Sequence, residues 1–353
     1  MTEAAPAAQP APWWRDVRAL DLEVAARAAV AAVVPLAILV ATGQVELAPY
    51  AAFGGMTAIF GRGEAYRGRL RTATVAAIGL VASVAIGVGA ALAGGSVPVV
   101  ALALVLVLIA GVLTVNVARL SPPTPLFFVF AVLVCASVPT PPGEAWLRIG
   151  VTAAAAAFAW ALSLSGWVLR RFAGRETSRS RFKPLRRAEP VRWQALHDAV
   201  VWRTIAQHVI AGLVAGGAAI ALGIGHPYWA VVSAAAVIPP AGAAHSVSRA
   251  WHRVAGTLVG VLVTGLILWP DPPVWVLVLI VAIAQFGAEV FVTRHYGTAL
   301  VFITPLALVV AHLAQPVPVG SLLVDRAVET VLGCAVAIVA VLAARALSAR
   351  GAR

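Results

Sequence analysis

The stretch LVDRAVETVLG, residues 323–333, joins a charged helical turn to the start of a long apolar run. Asp325, Arg326 and Glu329 carry the charges, and no other charged residue follows until Arg345. A run of this length is typical of a helix that crosses a lipid bilayer, which requires about 20 apolar residues. Charged side chains inside such a helix are unfavourable in lipid and are therefore candidates for function.

The composition of the whole chain indicates an integral membrane protein. Of its 353 residues, 61% are hydrophobic and 11% are charged, and the mean hydropathy is +0.93. A soluble protein of this size could not bury so much apolar surface. The net charge of +12 does not indicate a nucleic-acid partner, because the arginines lie in short loops between apolar runs.

The apolar runs predict an all-α bundle of about twelve transmembrane spans. Three of them, at 46–61, 122–138 and 227–241, are short or interrupted by Pro and Gly, so we expect re-entrant or broken helices there. The other nine lie at 22–42, 70–93, 97–118, 147–169, 204–223, 251–269, 274–292, 297–314 and 324–344.

The chain divides into two halves joined by a basic linker. Pro184 and Pro190 interrupt this polar linker, which we interpret as a cytoplasmic anchor beside anionic lipid headgroups or as a regulatory segment. The predicted organisation is a cytoplasmic tail at 1–21, a first six-span repeat at 22–170, the linker at 171–202, a second six-span repeat at 203–345 and a cytoplasmic tail at 346–353.

The distribution of arginine predicts that both termini are cytoplasmic, in a multi-pass protein of the plasma membrane. With that orientation, Arg148 and Arg326 are the cations expected in external segments. The cytoplasmic segments then hold Arg15, Arg18, Arg62, Arg67, Arg69, Arg71, Arg119, the 170–192 cluster, Arg249, Arg253, Arg294, Arg345, Arg350 and Arg353.

The two halves share polar landmarks at nearly constant spacing. Pro49-Tyr50 recurs in the second half as Pro227-Tyr228, and Arg148-x-x-x-Thr152 recurs at the same offset as Arg326-x-x-x-Thr330. Arg27 corresponds to Arg203 at nearly the same offset. Because each half has an even number of spans, the repeats are expected to run parallel about an axis along the membrane normal.

The second half resembles the fusaric acid resistance or aromatic acid exporter family of membrane proteins. The residues that carry the resemblance are HPYWAVVSAAAVI, then Arg253-x-x-Gly256-Thr257-x-x-Gly260, then RAVETVLGCAVAI, within about residues 203–345. The first half matches more loosely, with Arg71-Thr72-Ala73-Thr74 where the second half has the Arg253 motif. The resemblance implies export of aromatic or other organic carboxylates. It also implies a plan similar to that of plant aluminium-activated malate channels, whose six-span subunits pair.

Arg148 and Arg326 are the predicted substrate-binding cations, with Thr152 and Thr330 one turn deeper. Two guanidinium groups facing one external vestibule would hold a carboxylate in bidentate fashion. Alternatively, each Arg reaches lipid headgroups or pairs locally, Arg326 with Asp325 or Glu329. Each Thr then bonds the carbonyl of its own helix four residues earlier.

Glu329 and Glu289 are the candidates for proton coupling, since both acids lie within or near the ends of apolar runs. Alternatively, each is a satisfied salt bridge, Glu329 with Arg326, and Glu289 with Arg294 or with another helix. The GxxxG pattern of Gly256 and Gly260 predicts close helix packing.

The sequence carries no pattern for enzymatic chemistry, a metal site or a cofactor. Cys135 and Cys334 lie in apolar runs and are interpreted as buried thiols. The leading hypothesis is therefore an exporter of organic, aromatic carboxylate anions coupled to protons. A passive anion channel and a non-transporting membrane scaffold are the alternatives. The expected partners are a small organic anion and membrane lipids, with a homo-oligomer left open.

Overall fold

The computed structural model describes residues 19–172, 189–238, 243–315 and 317–351, and this part of the chain is all-α. Half of the predicted linker and nearly all of the predicted N-terminal tail lie outside the described residues. The α-helices in the described residues are α1 (Ala19–Ala41), α2 (Ala48–Gly55), α3 (Tyr66–Leu92), α4 (Val97–Ala118), α5 (Leu126–Ser137), α6 (Ala145–Phe172), α7 (Ala199–Ala221), α8 (Tyr228–Val237), α9 (Ala243–Leu268), α10 (Val274–Phe291), α11 (Tyr296–Ala314) and α12 (Val319–Gly351).

Nine of these helices are long and apolar enough to cross a membrane, counted over the described residues. The three short spans of the sequence contain α2, α5 and α8, with 8, 12 and 10 residues. At 1.5 Å per residue, none of the three crosses a hydrocarbon layer of about 30 Å as a regular helix. Nine of the predicted spans are therefore full-length helices, and the three short ones are broken, as their Pro and Gly residues led us to expect.

Local sequence explains where several helices begin. Asp198 caps α7, and its side chain accepts a hydrogen bond of 2.9 Å from the Val200 amide. The N-cap satisfies one amide that the first turn leaves without a helical partner. The helix therefore starts at Ala199, earlier than the predicted start of this span at residue 204. Pro98 lies in the first turn of α4, where proline removes no helical hydrogen bond.

Corresponding helix pairs pack in both halves of the chain. In the first half α2 packs on α6, and α3 packs on α5 and α6; in the second half α8 packs on α12, and α9 packs on α11 and α12. Between the halves, α1 packs on α10 and α4 packs on α7, while α2 packs on α11 and α5 on α8.

Glycines allow the closest helix approaches in the second half. A Cβ atom added at Gly256 of α9 would lie 2.3 Å from the carbonyl oxygen of Gly297 at the start of α11. One added at Gly333 of α12 would lie 2.1 Å from the carbonyl oxygen of Ala230 in α8. Backbones this close leave no room for a side chain, as the GxxxG spacing of Gly256 and Gly260 predicts.

Exposed aromatic and aliphatic side chains mark the lipid-facing surface. We call the end of the bundle where α1 begins the near end, and the end where α1 finishes the far end. Exposed tryptophans lie at both ends, as interfacial aromatic residues do in membrane proteins. Trp146 and Trp269 lie at the far end, and Trp202 and Trp251 lie at the near end.

Candidate functional site

Charged side chains are buried in the described interior in unusual number for a membrane bundle. They include Arg27, Arg69, Arg148, Arg253, Arg326, Asp21, Glu289 and Glu329. A charge inside a bundle is unfavourable unless it is paired or serves a function. Which of these charges are satisfied by the protein therefore separates structural residues from candidates for ligand binding.

Arg326 is the buried cation whose donors the protein leaves most open. Its side chain is 1% exposed, and Cζ lies 4.0 Å from the centroid of the Trp229 ring in α8. Nε and Nη1 are buried and form no hydrogen bond with any described group. When a guanidinium stacks on an aromatic face, its N–H groups lie in the guanidinium plane and point outward from its edges. These donors are suited to a planar, charged acceptor such as a carboxylate.

Glu329 lies one helical turn from Arg326 on the same side of α12. It is fully buried, and the backbone of His226 and Trp229 at the start of α8 lies beside its carboxylate. The charge of Glu329 acts on Arg326, and so does the charge of Arg253. Among the described residues, Glu329 does not form the salt bridge to Arg326 that the alternative interpretation expected. The two charges are neighbours that have not neutralised each other by direct contact.

Arg253 of α9 reaches the same region from the other side. Its side chain is buried, and Nη1 donates a hydrogen bond of 3.0 Å to the Tyr296 hydroxyl. The Arg249 guanidinium lies over the same Tyr296 ring, with Cζ 4.2 Å from the centroid. Two arginines of α9 are thus held at one aromatic ring, and the charge of Arg253 acts on Arg326.

Two helices that pack on α12 contribute further buried polar atoms without a hydrogen-bond partner among the described residues. These atoms belong to α8 and α9 and are Trp229 Nε1, Ser233 Oγ and Thr257 Oγ1. We call Trp229, Ser233, Arg253, Thr257, Arg326 and Glu329 the polar centre. Buried polar groups are normally satisfied, so a cluster of open donors and acceptors indicates a place where a ligand or water completes the bonding.

Arg148, the predicted partner of Arg326, has a different environment. Its Nη1 donates to the Tyr50 hydroxyl at 2.8 Å, to Thr140 Oγ1 at 2.6 Å and to the Pro139 carbonyl at 2.9 Å. Nη2 donates to Glu144 at 2.9 Å. Described protein groups therefore accept hydrogen bonds from both terminal nitrogens of Arg148. We interpret Arg148 as a structural residue at the far end.

The structure does not support a vestibule lined jointly by Arg148 and Arg326. α6 packs on α1, α2 and α3, whereas α12 packs on α7, α8 and α9, so the two arginines occupy separate packing environments. Arg326 is also buried and not external as expected. The sequence shows the repeated Arg-x-x-x-Thr motif. It does not show in which copy the surrounding residues accept hydrogen bonds from the arginine.

Thr152 and Thr330 form hydrogen bonds to their own helix backbone, as the alternative interpretation of the two Arg-x-x-x-Thr motifs expects. Thr152 Oγ1 donates to the Arg148 carbonyl at 3.1 Å, and Thr330 Oγ1 donates to the Arg326 carbonyl at 2.7 Å. Both hydroxyl protons therefore go to the helix backbone four residues earlier. Each hydroxyl can therefore accept a further hydrogen bond but cannot donate one.

Glu289 forms an ion pair, but with a partner different from the one expected. Arg62, in the loop before α3, binds Glu289 at 3.2 Å and Asp21 at 3.1 Å. Arg62 also donates to the Glu289 carbonyl at 2.8 Å, and Arg294 pairs with Asp21. Asp21, predicted to end a cytoplasmic tail, is buried in this cluster at the near end of the α1–α10 contact.

Asp325 pairs across helices as well. It binds Nδ1 of His226 at 2.7 Å, at the far end beside the start of α8. Asp325 therefore anchors α12 to α8 and does not neutralise Arg326. The sequence did not predict Trp229 as the partner of Arg326 or Arg62 as the partner of Glu289. Trp229 directly follows the repeated Pro-Tyr landmark, which was the available signal.

Residues 209–340 match the family described as "Fusaric acid resistance protein-like". This confirms the resemblance predicted for the second half, and the matched residues include the whole polar centre. A curated relative, "Uncharacterized membrane protein YvaC" of Bacillus subtilis (strain 168), is 35% identical over 94 residues. That alignment covers 27% of this chain and 15% of the relative's length. No solved structure gives a significant match.

Proposed function

We propose that this protein exports organic, preferentially aromatic, carboxylate anions across the plasma membrane and is not an enzyme. The family match of residues 209–340 supports a membrane transport role. The observation that carries the substrate class is Arg326, a fully buried guanidinium on the Trp229 face with donors that no described protein group accepts. A carboxylate is the small anionic group that matches such a fork.

The aromatic preference rests on a chain of rings beside Arg326. Trp229 lies 5.0 Å from Tyr228 and 4.9 Å from Phe130 between ring centroids, and Phe130 lies 5.2 Å from Phe53. The rings cross from α8 to α5 and α2, where the two halves meet. Aromatic groups attract one another at these separations, so an aromatic acid would gain contacts for its ring as well as its carboxylate.

Proton coupling would follow from the proximity of Glu329 to Arg326. A carboxylate that binds the guanidinium competes with Glu329 for the same positive charge. Glu329 is then less stabilised as an anion and takes up a proton, by the rule that an opposite charge favours the charged form. Departure of the substrate would restore the original arrangement of charges and release the proton. Glu289, held by Arg62, has no comparable freedom and is proposed as structural.

The proposed topology has the near end in the cytoplasm, with both termini there and two parallel six-span repeats. The matching helix pairs of the two halves support this arrangement, because a twofold rotation about an axis along the membrane normal would exchange the α1–α10 contact with the α7–α4 contact. The short helices α2, α5 and α8 would complete their passes with irregular backbone that the surrounding helices cover.

The test is transport in sealed proteoliposomes with a panel of aromatic and aliphatic carboxylates. An exporter coupled to protons accumulates the anion when a pH gradient is imposed, whereas a passive channel gives currents that reverse with the anion gradient. A scaffold gives neither result. Glu329→Gln should bind substrate but lose its dependence on the pH gradient, with Glu289→Gln as the matched control. Equal gradient dependence in both variants would overturn the coupling role of Glu329.

A further inference from the structure

A second polar region lies at the near end, away from the polar centre. A cavity of about 510 Å³ separates α4 from α7 and is bordered by the segment that precedes α7. Half of the lining residues are apolar, among them Val115, Leu120, Val201 and Ile238, and the other half are polar or charged. This volume lies within the usual range of small-molecule sites, which run from about 300 to 1,000 Å³.

The rim of this cavity carries paired charges that are partly exposed to solvent. Arg119 at the end of α4 pairs with Glu189, and their side chains are 43% and 58% exposed. Arg192 pairs with Asp198, the N-cap of α7, and those side chains are 41% and 23% exposed. Arg71 donates a hydrogen bond of 2.7 Å to the Glu189 carbonyl. Two arginines and two acids therefore line the rim, and Arg71 adds a third positive charge behind Glu189.

The corresponding contact between the halves is closed. There α1 meets α10, and Asp21 in the first turn of α1 is the counterpart of Asp198, at nearly the same offset as the other repeated landmarks. Arg62 joins Asp21 to Glu289 with side chains that are only 13%, 12% and 6% exposed. The near end is thus asymmetric, with a buried ion cluster at one contact and a charged cavity at the other.

The two sets of ion pairs differ in how readily they open. Breaking a buried pair by removing one partner is strongly unfavourable, because it leaves an uncompensated buried charge. Exchanging one partner of a solvent-exposed pair changes the free energy little, because water already screens both charges. An incoming anion can therefore displace Glu189 from Arg119 far more readily than it can open the Arg62 cluster.

We propose that the cavity between α4 and α7 is the entry site for organic carboxylates that have an apolar body. Arg119 and Arg192 exchange Glu189 and Asp198 for the carboxylate of the ligand, and the apolar walls cover its body. This inference rests on the proposed export function, since it makes the near end the side from which substrate is collected. It also assigns the entry to one of two contacts that the helix arrangement makes equivalent.

The experiment compares two cysteines at corresponding positions in a background with Cys135→Ala and Cys334→Ala. Thr204→Cys places a thiol in the cavity, and Ala28→Cys, its counterpart in the first half, places one in the closed α1–α10 contact. Inside-out and right-side-out vesicles are labelled with a membrane-impermeant maleimide, with benzoate or neutral benzamide as the probe. Val115→Cys serves as a second cavity position if Thr204→Cys does not fold.

We expect the cavity cysteine to react in inside-out vesicles only and benzoate, but not benzamide, to slow the reaction. Ala28→Cys should react slowly in both preparations. Adding Arg119→Gln or Arg192→Gln should leave labelling intact and raise the benzoate concentration for half-protection by about tenfold or more, the value of one charge-assisted hydrogen bond.

Three results would overturn the entry site. The first is no labelling of either cavity cysteine, the second is equal protection by benzamide, and the third is equal protection in the arginine variants. Protection by phosphatidylglycerol in nanodiscs, with none by benzoate, would assign the cavity to a lipid headgroup and also overturn the proposal. Benzoate transport measured on the same vesicles separates the two proposals, because transport without protection removes only the entry site and protection without transport removes only the export function.

Discussion

Replacing Arg326 is the perturbation for which the structure gives the clearest magnitude. Two of its nitrogens, Nε and Nη1, are buried without a described partner while Trp229 covers one face of the guanidinium. A hydrogen bond to a charged group contributes about 1.5–3 kcal/mol. A carboxylate at either edge of the guanidinium accepts two parallel bonds, which together contribute about 3–6 kcal/mol. Since 1.4 kcal/mol is a factor of ten, Arg326→Ala should weaken benzoate binding by about 10²–10⁴-fold.

Arg326→Lys separates charge from geometry at the same position. Lysine keeps the positive charge but offers a point charge and not a fork, so one of the two bonds is lost. We expect an affinity about 10–100-fold below that of the unmodified protein, between the unmodified protein and Arg326→Ala. The assay is equilibrium binding of radiolabelled benzoate to purified protein, with uptake into proteoliposomes measured in parallel.

Arg148→Ala is the matched control because the protein already accepts hydrogen bonds from both of its terminal nitrogens. It should lower thermal stability and leave the benzoate affinity of the folded fraction unchanged. The reasoning is refuted if folded Arg326→Ala and Arg326→Lys bind benzoate as tightly as the unmodified protein. It is equally refuted if Arg148→Ala produces the larger loss of affinity.

Further predictions concern ring contacts and packing. Trp229→Leu removes the aromatic face on which Arg326 lies. A desolvated cation–π contact of about 2 kcal/mol predicts a roughly 30-fold weaker affinity for benzoate. The loss of affinity for acetate should be smaller, which checks the contribution of ring contacts. Arg62→Ala leaves Glu289 buried without its cation and should destabilise the protein by about 3–5 kcal/mol in thermal unfolding. Adding Glu289→Gln should recover much of this loss. If the effects of the two substitutions simply add in the double variant, the two residues do not interact as a pair. Gly256→Ala forces α9 away from α11 and should lower stability by about 1–3 kcal/mol, whereas Gly150→Ala, where an added Cβ meets open space, should be neutral or slightly stabilising.

Much of the fold follows from apolar runs and loop residues alone. The long helices are visible because lipid requires an unbroken apolar stretch, and α2, α5 and α8 are visible as short because Pro and Gly interrupt their runs. The close approach at Gly256 follows from the GxxxG spacing. These features depend on residues near one another in the sequence, which is why the sequence shows them.

The candidate site was predicted less well because ion pairs join distant segments. Arg62 meets Asp21 and Glu289 from far along the chain, and neither separation leaves a periodic signal. The internal comparison also chose Arg71 as the counterpart of Arg253, whereas Arg69 is the buried arginine of α3. Residues two apart lie on nearly opposite helix faces, so this offset reverses which side chain points inward.

Arg148 and Arg326 show the limit of reasoning from internal similarity. Both begin an Arg-x-x-x-Thr motif, and both Thr hydroxyls bond the backbone in the same way. The difference arises from neighbours outside the motif, since Tyr50, Thr140 and Glu144 accept the donors of one arginine while Trp229 only stacks on the other. Spacing identifies the pair, and tertiary contacts decide which member remains open to a ligand.

The most direct measurement is a structure of the purified protein with 4-iodobenzoate, in which the iodine locates the ligand. We predict iodine density inside the second half, next to the rings of Trp229 and Tyr228, with the carboxylate at the edge of the Arg326 guanidinium. This density at the Arg326 guanidinium should be lost in Arg326→Ala under the same conditions. Iodine confined to the lipid-facing surface, or unchanged density in that variant, would contradict the assignment of the polar centre as an organic-anion site.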